Sequence, residues 1–457
     1  MFELRNLGFF FASFLRHIVL AVRAAVRRVP RSGSTASERN WAQRPGLGVM
    51  YQIETRPGWK WDRDYVAFNR SLQDHDGAFA FDGPLCDMSA WVALSTEIGL
   101  DYHVFEVKWH DGICWFDTDS TAWKTPHDYT RDFSDLSRAA GLPFAFYYSA
   151  VFDHNPQFDA IQPDRTTTPS FVGEQEEYRG YLLRHYEELV GAYQPDAMWF
   201  DWYWPDGSTE ITVETFRSRY PDVVVTFNLA NLFPASFRRI GTTSSEAHSY
   251  DGPWVRFRKE DSLRVPVLTS SVRWSNLFRM SFDHQWELCS PAGRWWQDQR
   301  MREDPDELLR TTAMVLACGG KLCIGATAQM NGQIFPDQQV QLRHLGAWYQ
   351  PRKTLFVDAA PLRYRGFRPP GVRVTGGEVD VVASVHDGGH LLHLVNRTGL
   401  TDPLQVTLDK RRWGDVRAVT VVPDGVPLPL QREGGRLRLE LPGDVVDRVD
   451  TILHLTP

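Results

Sequence analysis

The stretch that decides the interpretation of this chain is Pro195-Asp-Ala-Met-Trp-Phe-Asp201-Trp-Tyr-Trp204. Its apolar centre predicts a short buried strand that ends in a carboxylate, Asp201, with aromatic residues before and after it. A carboxylate in such a place can attack a sugar while the aromatic faces stack on the pyranose ring. The alternative is a core strand whose Asp201 caps the next helix or turn. The stretch alone favours that alternative, and the motifs around it favour the first interpretation.

Length and composition point to a large, mildly acidic soluble protein. The chain has 457 residues, which exceeds one ordinary core and predicts a large barrel plus a smaller domain. The formal net charge of −7 offers no basic surface for nucleic acid, so no nucleic-acid partner is predicted. The 17 tryptophans fit a carbohydrate site, although large cores use tryptophan too.

The cysteines bear on the cellular compartment. Their number is odd, they are widely spread, and they lack the C-x-x-C pairing of zinc sites and redox motifs. A disulfide framework is therefore not predicted, and the thiols favour a reducing, cytoplasmic environment. The five residues are Cys86, Cys114, Cys289, Cys318 and Cys323.

Residues 1–40 form an extension of unusual composition. Two apolar runs, 7–15 and 18–22, are interrupted by Arg16 and His17. Neither run approaches the roughly 20 residues that span a bilayer, and a signal peptide would have an unbroken apolar centre. A basic amphipathic helix on a membrane surface is one interpretation. We expect instead an extension without function, so membrane contact is not predicted, although secretion stays open.

From Trp41 onward, short apolar runs alternate with stretches of helical spacing. This pattern predicts a (β/α)8 TIM-like barrel over residues 41–355. Short apolar runs fit parallel strands that are buried on both faces. The predicted strands are 47–53, 102–108, 143–149, 196–201, 222–228, 239–245, 265–271 and 321–325, with the sixth and seventh the weakest.

The helical periods stop near Leu355, and turn signals such as Asp387-Gly-Gly389 then separate short apolar strands. This pattern predicts a small antiparallel β-sandwich over residues 356–457. Its predicted strands are 381–385, 390–395, 404–408, 417–422, 436–441 and 451–455.

Five segments of the predicted barrel occur in the order found in a known family. They are Lys108-Trp-His-Asp-Gly112, Pro143-Phe-Ala-Phe-Tyr-Tyr-Ser149, Asp196-Ala-Met-Trp-Phe-Asp201, Trp286-Glu-Leu-Cys289 and Leu316-Ala-Cys-Gly-Gly-Lys-Leu-Cys-Ile-Gly325. Together they resemble glycoside hydrolase family 29, the α-L-fucosidases, which carry Lys-His-His-Asp-Gly, a strand ending in Tyr-Tyr-Ser, and Trp-Glu-x-Cys. The resemblance covers residues 41–348.

The resemblance implies that Asp201 is the nucleophile, and it leaves two candidates for the acid that assists it. Glu246 follows a predicted strand, where a side chain can aim at the substrate. Glu287 has the better motif match but lies in a long predicted connection. We favour Glu246. For either residue the alternative is a solvated or salt-bridged loop acid.

Further residues are predicted to bind the sugar. The motif context favours binding for His110, whose alternative is a satisfied histidine at a strand end. Trp202 and Trp204 could form a stacking platform or simply cover the barrel mouth. The remaining predicted contacts are Trp109 and Tyr148. The sequence carries no metal or nucleotide motif, so no cofactor is predicted.

The segments also depart from the family pattern. The family has a sugar-contacting His-Trp-Gly where this chain reads Gln52-Ile-Glu54, and Trp109 replaces the first of its paired histidines. The implied function is a retaining exo-glycosidase acting on a fucosyl or related residue. The alternative is a barrel that binds carbohydrate without hydrolysing it. A homo-oligomer stays open.

Overall fold

A computed structural model gives the fold. It describes residues 41, 44–53, 86–150, 153–158, 176–201, 216, 219–227, 242–246, 249–251, 254–256, 286–293, 301–302, 304–329, 331–362 and 368–457, with the backbone alone at 227, 242–246, 249–251, 254–256 and 286. The extension 1–40, the predicted strand 265–271, Trp202 and Trp204 lie outside these residues.

Eight parallel strands close into a barrel, as the alternating pattern predicts. Their order is β1-β10-β9-β6-β5-β4-β3-β2, and a short hairpin, β7–β8, stands beside them. The strands are β1 (Gly46–Ile53), β2 (Tyr102–Lys108), β3 (Phe144–Ser149), β4 (Ala197–Asp201), β5 (Val224–Phe227), β6 (Thr242–Glu246), β7 (Ser249–Asp251), β8 (Trp254–Arg256), β9 (Trp286–Pro291) and β10 (Lys321–Ala328).

The prediction was wrong about the seventh barrel strand. The strand between β6 and β10 is β9, which contains Glu287, so this acid does not lie in a connection. The polar residues Glu287 and Ser290 interrupt its apolar pattern. In sequence it therefore lacks the apolar run that is typical of a buried parallel strand.

Helices on the outside of the barrel begin and end at residues suited to those positions. Asp87 caps the first helix by accepting from the backbone of Ser89, and Gly99 ends it with φ of +77°. The helices are α1 (Met88–Ile98), α2 (Tyr129–Ala140), α3 (Glu176–Tyr193), α4 (Asp306–Ala317), α5 (Pro336–Tyr349) and α6 (Lys353–Val357).

The alternation of side chains along each strand divides the barrel into two packed regions. Phe105, Val107 and Tyr148 point outward into the large core between strands and helices. Tyr102, Val104, Tyr147 and Trp199 belong to a smaller cluster with members on six strands of the barrel, which fills its interior. The described interior is therefore a packed core rather than a pore.

The predicted antiparallel sandwich follows the barrel. A six-stranded sheet, β11-β13-β14-β20-β16-β17, and a four-stranded sheet, β12-β15-β19-β18, share one apolar core. Helix α6 includes residue 355, where the sequence predicts the boundary between the barrel and the sandwich. The position of that boundary stays a prediction. The strands are β11 (Ala360–Pro361), β12 (Val372–Thr375), β13 (Val379–His386), β14 (Gly389–Asn396), β15 (Leu404–Asp409), β16 (Ala418–Val422), β17 (Val426–Leu428), β18 (Leu430–Glu433), β19 (Arg436–Leu441) and β20 (Asp450–Thr456), with a short helix α7 (Lys410–Trp413).

The first described residue, Trp41, lies against the amino-terminal end of the barrel. Its ring centroid is 5.5 Å from that of Tyr102 and 4.0 Å from Lys321 Nζ. We predict that a chain beginning at Ser37 folds with unchanged stability. Trp41→Ala in that shortened chain should lower the free energy of unfolding by about 1–2 kcal/mol, because the cation–π contact and the ring packing are lost.

Urea denaturation of the full chain, the shortened chain and its Trp41→Ala variant would test this. A shortened chain that does not fold would show that residues 1–36 are needed by the barrel.

Candidate active site

Asp201, the last residue of β4, lies at the carboxyl end of the barrel and is 5% exposed. The hydroxyl of Tyr147 donates to Asp201 Oδ2 at 2.5 Å. His110 Nε2 lies 3.4 Å from the same oxygen. Hydrogen bonds to a carboxylate favour its charged form. The site therefore suits an ionised Asp201 held in a fixed orientation.

A bulge in β2 aims the segment that carries His110. The pairing of β2 with β3 shifts between Glu106 and Lys108, and such an extra residue re-aims the side chains beyond it. Lys108 consequently lies over the ring of Tyr148. Trp109 joins the interior cluster, and its ring stacks on His110 at 4.9 Å.

Three buried groups hold this segment in place. Lys108 Nζ lies 2.6 Å from Asp153 Oδ2 and donates to the carbonyl of Ser149 at 2.8 Å. The hydroxyl of Ser149 pairs with His110 Nδ1 at 2.6 Å, which leaves Nε2 to face Asp201. Gly112 has φ of +78°, and a Cβ there would lie 2.3 Å from Asp153 Oδ1. Only glycine fits this turn.

Tyr148, a predicted sugar contact, lies away from the site. Its side chain is fully buried on the outer face of β3, where its hydroxyl pairs with His185 Nδ1 at 2.8 Å. Tyr147 points inward instead and reaches Asp201. Because neighbouring strand residues face opposite sides, only one tyrosine of the pair can reach the interior.

The strand registers place two further acids level with Asp201. Neighbouring residues across the sheet run from Glu106 of β2 through Tyr147, Trp199 and Thr226 to Thr242, the first residue of β6. In a barrel of this type each strand steps by about one residue relative to the next, and layers are built from alternate strands. With that step added for each strand, the level of Glu106 on β2 corresponds to Asp201 on β4 and to Glu246 on β6. These three residues therefore lie at one height along the barrel axis. We call these three positions the carboxylate ring.

Glu106 is a buried acid that lies outside every motif recognised in the sequence. It is 3% exposed, and its Oε1 has no hydrogen-bond partner among the described residues. Burial raises the pKa of Glu106 well above its usual range, and the neighbouring acids Asp111 and Asp201 raise it further. The sequence indicates Glu106 only through the alternation of side chains along β2, which places Tyr102, Val104 and Glu106 on the same, inward face.

Glu287 lies deeper in the barrel than the carboxylate ring. Its Oε2 accepts from the Tyr102 hydroxyl at 2.6 Å and its Oε1 from Trp199 Nε1 at 2.8 Å. The register pairs Glu287 with Ser244 of β6 and with Lys321, the first residue of β10. It is therefore about three residues below the ring, or roughly 8 Å along the barrel axis.

A buried lysine accompanies Glu287. Lys321 is 2% exposed and lies over the rings of Trp41 and Tyr102. Burial lowers the pKa of Lys321 to about 7, against the opposing attraction of Glu287. Both carboxylate oxygens of Glu287 already accept hydrogen bonds inside the core. This environment is that of a structural acid held by core side chains rather than of an acid facing a substrate.

The structure thus brings together part of the predicted site. Asp201, His110 and Trp109 meet at the carboxyl end of the barrel, and the backbone of Glu246 lies level with them. Tyr148 and Glu287 lie elsewhere. Within the residues that the structure describes, no group of three or more His, Cys, Asp or Glu could hold a metal ion. In the same residues, no helix is long and apolar enough to cross a membrane.

The fold matches solved structures of fucosidases. The Thermotoga maritima alpha-fucosidase, solved in complex with fucose, superposes with a TM-score of 0.64 at 17% identity, over 91% of this chain and 96% of that one. Alpha-L-fucosidase isoenzyme 1 from Paenibacillus thiaminolyticus superposes with a TM-score of 0.62 at 19% identity, over 92% of this chain and 99% of that one. At such identities the likeness establishes the fold.

The chain belongs to the alpha-L-fucosidase family, whose model matches residues 64–353. This confirms the resemblance that the five segments carry. It is 22% identical over 312 residues to an alpha-L-fucosidase of Dictyostelium discoideum, covering 65% of this chain and 61% of that protein. It is 24% identical over 296 residues to a tissue alpha-L-fucosidase of Rattus norvegicus, covering 61% and 57%. The chain thus spans about three fifths of these relatives.

The environment of Glu287 gives a prediction about stability. Glu287→Ala leaves the buried Tyr102 hydroxyl and Trp199 Nε1 without their acceptor, so the free energy of unfolding should fall by about 2–5 kcal/mol. Glu287→Gln keeps an acceptor and should cost less. The control is Glu97→Ala, since Glu97 is exposed and paired with Arg343 at 2.8 Å. It should cost at most about 1 kcal/mol.

Urea denaturation measures these differences. A Glu287→Ala variant of near-normal stability that had lost all turnover would restore Glu287 as a catalytic candidate.

Proposed function

We propose that this chain is a retaining exo-glycosidase that releases a terminal α-L-fucosyl or closely related residue. The observation that carries the proposal is Asp201 at the carboxyl end of β4, with Tyr147 and His110 both on Oδ2. Barrel enzymes place their reactive groups at this end. Family membership supports the sugar class, because the relatives are named as alpha-L-fucosidases.

In this proposal Asp201 attacks the anomeric carbon and forms a glycosyl–enzyme ester. Glu246, protonated, donates its proton to the departing oxygen in the first step. The same residue then deprotonates water, which attacks the anomeric carbon and releases both sugar and Asp201. The nucleophile must be ionised while the acid is neutral, so the two need different environments.

The position of Glu246 supports its assignment over Glu287. Retaining enzymes use two carboxyl groups about 5–5.5 Å apart. Glu246 occupies the level of Asp201 in the carboxylate ring. Glu287 lies roughly 8 Å lower along the axis, with both oxygens engaged in the core. A substrate at the barrel mouth would meet the ring first.

The alternative, a barrel that binds sugar without cleaving it, rests on the departures from the family pattern at Gln52 and Trp109. The geometry around Asp201, with Tyr147 and His110 on one carboxylate oxygen, favours the enzyme. Turnover by the wild-type chain, measured on a panel of nitrophenyl glycosides that includes α-L-fucoside, decides between the two. Binding of L-fucose without turnover of any glycoside would favour the binding barrel.

The nucleophile is tested by Asp201→Ala. We expect turnover of the best nitrophenyl glycoside to fall at least about 1,000-fold, because the ester intermediate cannot form. Folding should persist. The matched control is Asp196→Asn, just before the other end of β4, where the side chain accepts a hydrogen bond from the backbone of Phe144. That variant should keep turnover within about threefold, and near-normal hydrolysis by folded Asp201→Ala would exclude Asp201.

The acid is tested by its dependence on the leaving group. A general acid matters most when the leaving group is poor. Glu246→Ala should therefore impair natural-type glycosides far more than activated aryl glycosides. Azide should restore turnover of the aryl glycosides, because it attacks the intermediate without base assistance. Glu287→Ala, measured on the folded protein, serves as control and should show neither effect. If Glu287→Ala shows both and Glu246→Ala neither, the roles of the two residues are reversed.

A further inference from the structure

Two buried polar side chains at the carboxyl end of the barrel have unused hydrogen-bonding atoms. Glu106 on β2 is 3% exposed and Gln52 on β1 is 5% exposed. Neither Glu106 Oε1 nor Gln52 Oε1 has a partner within the described parts of the chain. The paired residues just before them are Tyr51 and Phe105. The two side chains therefore extend from neighbouring strands at the same place.

The proton balance of the carboxylate ring makes Glu106 the neutral acid. Two carboxylates at one level repel each other, so one of them takes up a proton. Asp201 Oδ2 is approached by Tyr147 and His110, whereas Glu106 Oε1 has no partner among the described residues. Burial and the nearby Asp111 and Asp201 raise the pKa of Glu106. The anion therefore resides on Asp201 and the proton on Glu106.

A protonated carboxyl group beside an amide matches one kind of ligand. The acid offers an O–H donor and a carbonyl acceptor, and Gln52 offers a further acceptor. A sugar hydroxyl both donates and accepts, so it can satisfy these atoms together. Buried polar atoms are normally paired, which makes an occupied site more favourable than an empty one. A cationic ligand would instead require a charged Glu106.

We infer that Glu106, as a neutral carboxylic acid, donates a hydrogen bond to one hydroxyl of the sugar whose anomeric carbon faces Asp201, and that Gln52 accepts from the same part of the ring. The inference rests on the proposed function and deepens it. It makes Glu106 a residue that determines specificity, distinct from the nucleophile and from the acid at Glu246.

The test is the binding of L-fucose and its 2-, 3- and 4-deoxy analogues, measured by calorimetry on the full chain. For the wild type, one analogue should bind about 10- to 100-fold more weakly than fucose. Glu106→Ala should weaken fucose binding by a similar factor and should no longer distinguish that analogue. Glu106→Gln, which keeps a neutral donor and acceptor, should stay within about threefold of the wild type. The conservative variant also guards against misfolding in Glu106→Ala.

Glu287→Gln is the matched control, because it alters a buried acid below the ring, and it should keep the discrimination between fucose and the analogue. Wild-type discrimination retained in Glu106→Ala, or no binding of these sugars by the wild type, would overturn the inference. Glu106→Gln with normal binding but no turnover of poor leaving groups would also overturn it, since that pattern belongs to proton transfer. Binding that depends on Glu106 without any turnover would refute the proposed hydrolysis alone.

Discussion

Closure of the eight-stranded sheet is the constraint on which the rest of the molecule depends. A closed barrel has no free edge, so the register of each strand fixes the height of every inward side chain. Polar groups on that inner face are cut off from water and must satisfy one another or a ligand. Below the carboxylate ring they satisfy one another, as Tyr102 and Trp199 do with Glu287. At the ring, Glu106 Oε1 finds no partner among the described residues.

Three inward acids of the described barrel therefore differ in chemistry because their neighbours differ. Glu287 accepts hydrogen bonds from two core donors and lies near a buried lysine, so it is held inside the core. Asp201 is approached by Tyr147 and His110 at the open end, where a substrate can arrive. Glu106 is buried and has the acids Asp111 and Asp201 near it. Environment, rather than residue type, separates a structural acid, the proposed nucleophile and the proposed neutral hydrogen-bond donor.

Much of the fold could be predicted from the sequence, because parallel strands buried on both faces read as apolar runs and helix ends carry capping residues. Strand β9 was missed because Glu287 interrupts its apolar pattern. The site was less accessible to such reasoning. Recognising that Tyr147, and not Tyr148, contacts Asp201 requires knowing which face of β3 is inward. Recognising that Glu106 lies level with Asp201 requires the register across three strands. Those facts arise from long-range pairing, which local patterns do not contain.

The same register explains how family membership and an altered motif can coexist. The groups around Asp201 come from β3, from β4 and from the segment after β2, and they are held by the buried pair of Lys108 and Asp153. The departure at Gln52 lies on β1, next to Glu106 on β2. In the proposed function, Asp201 is positioned by β3 and β4, whereas the proposed sugar contacts Gln52 and Glu106 lie on β1 and β2. A change on β1 and β2 would then alter which hydroxyl is recognised while the position of Asp201 stays as it is.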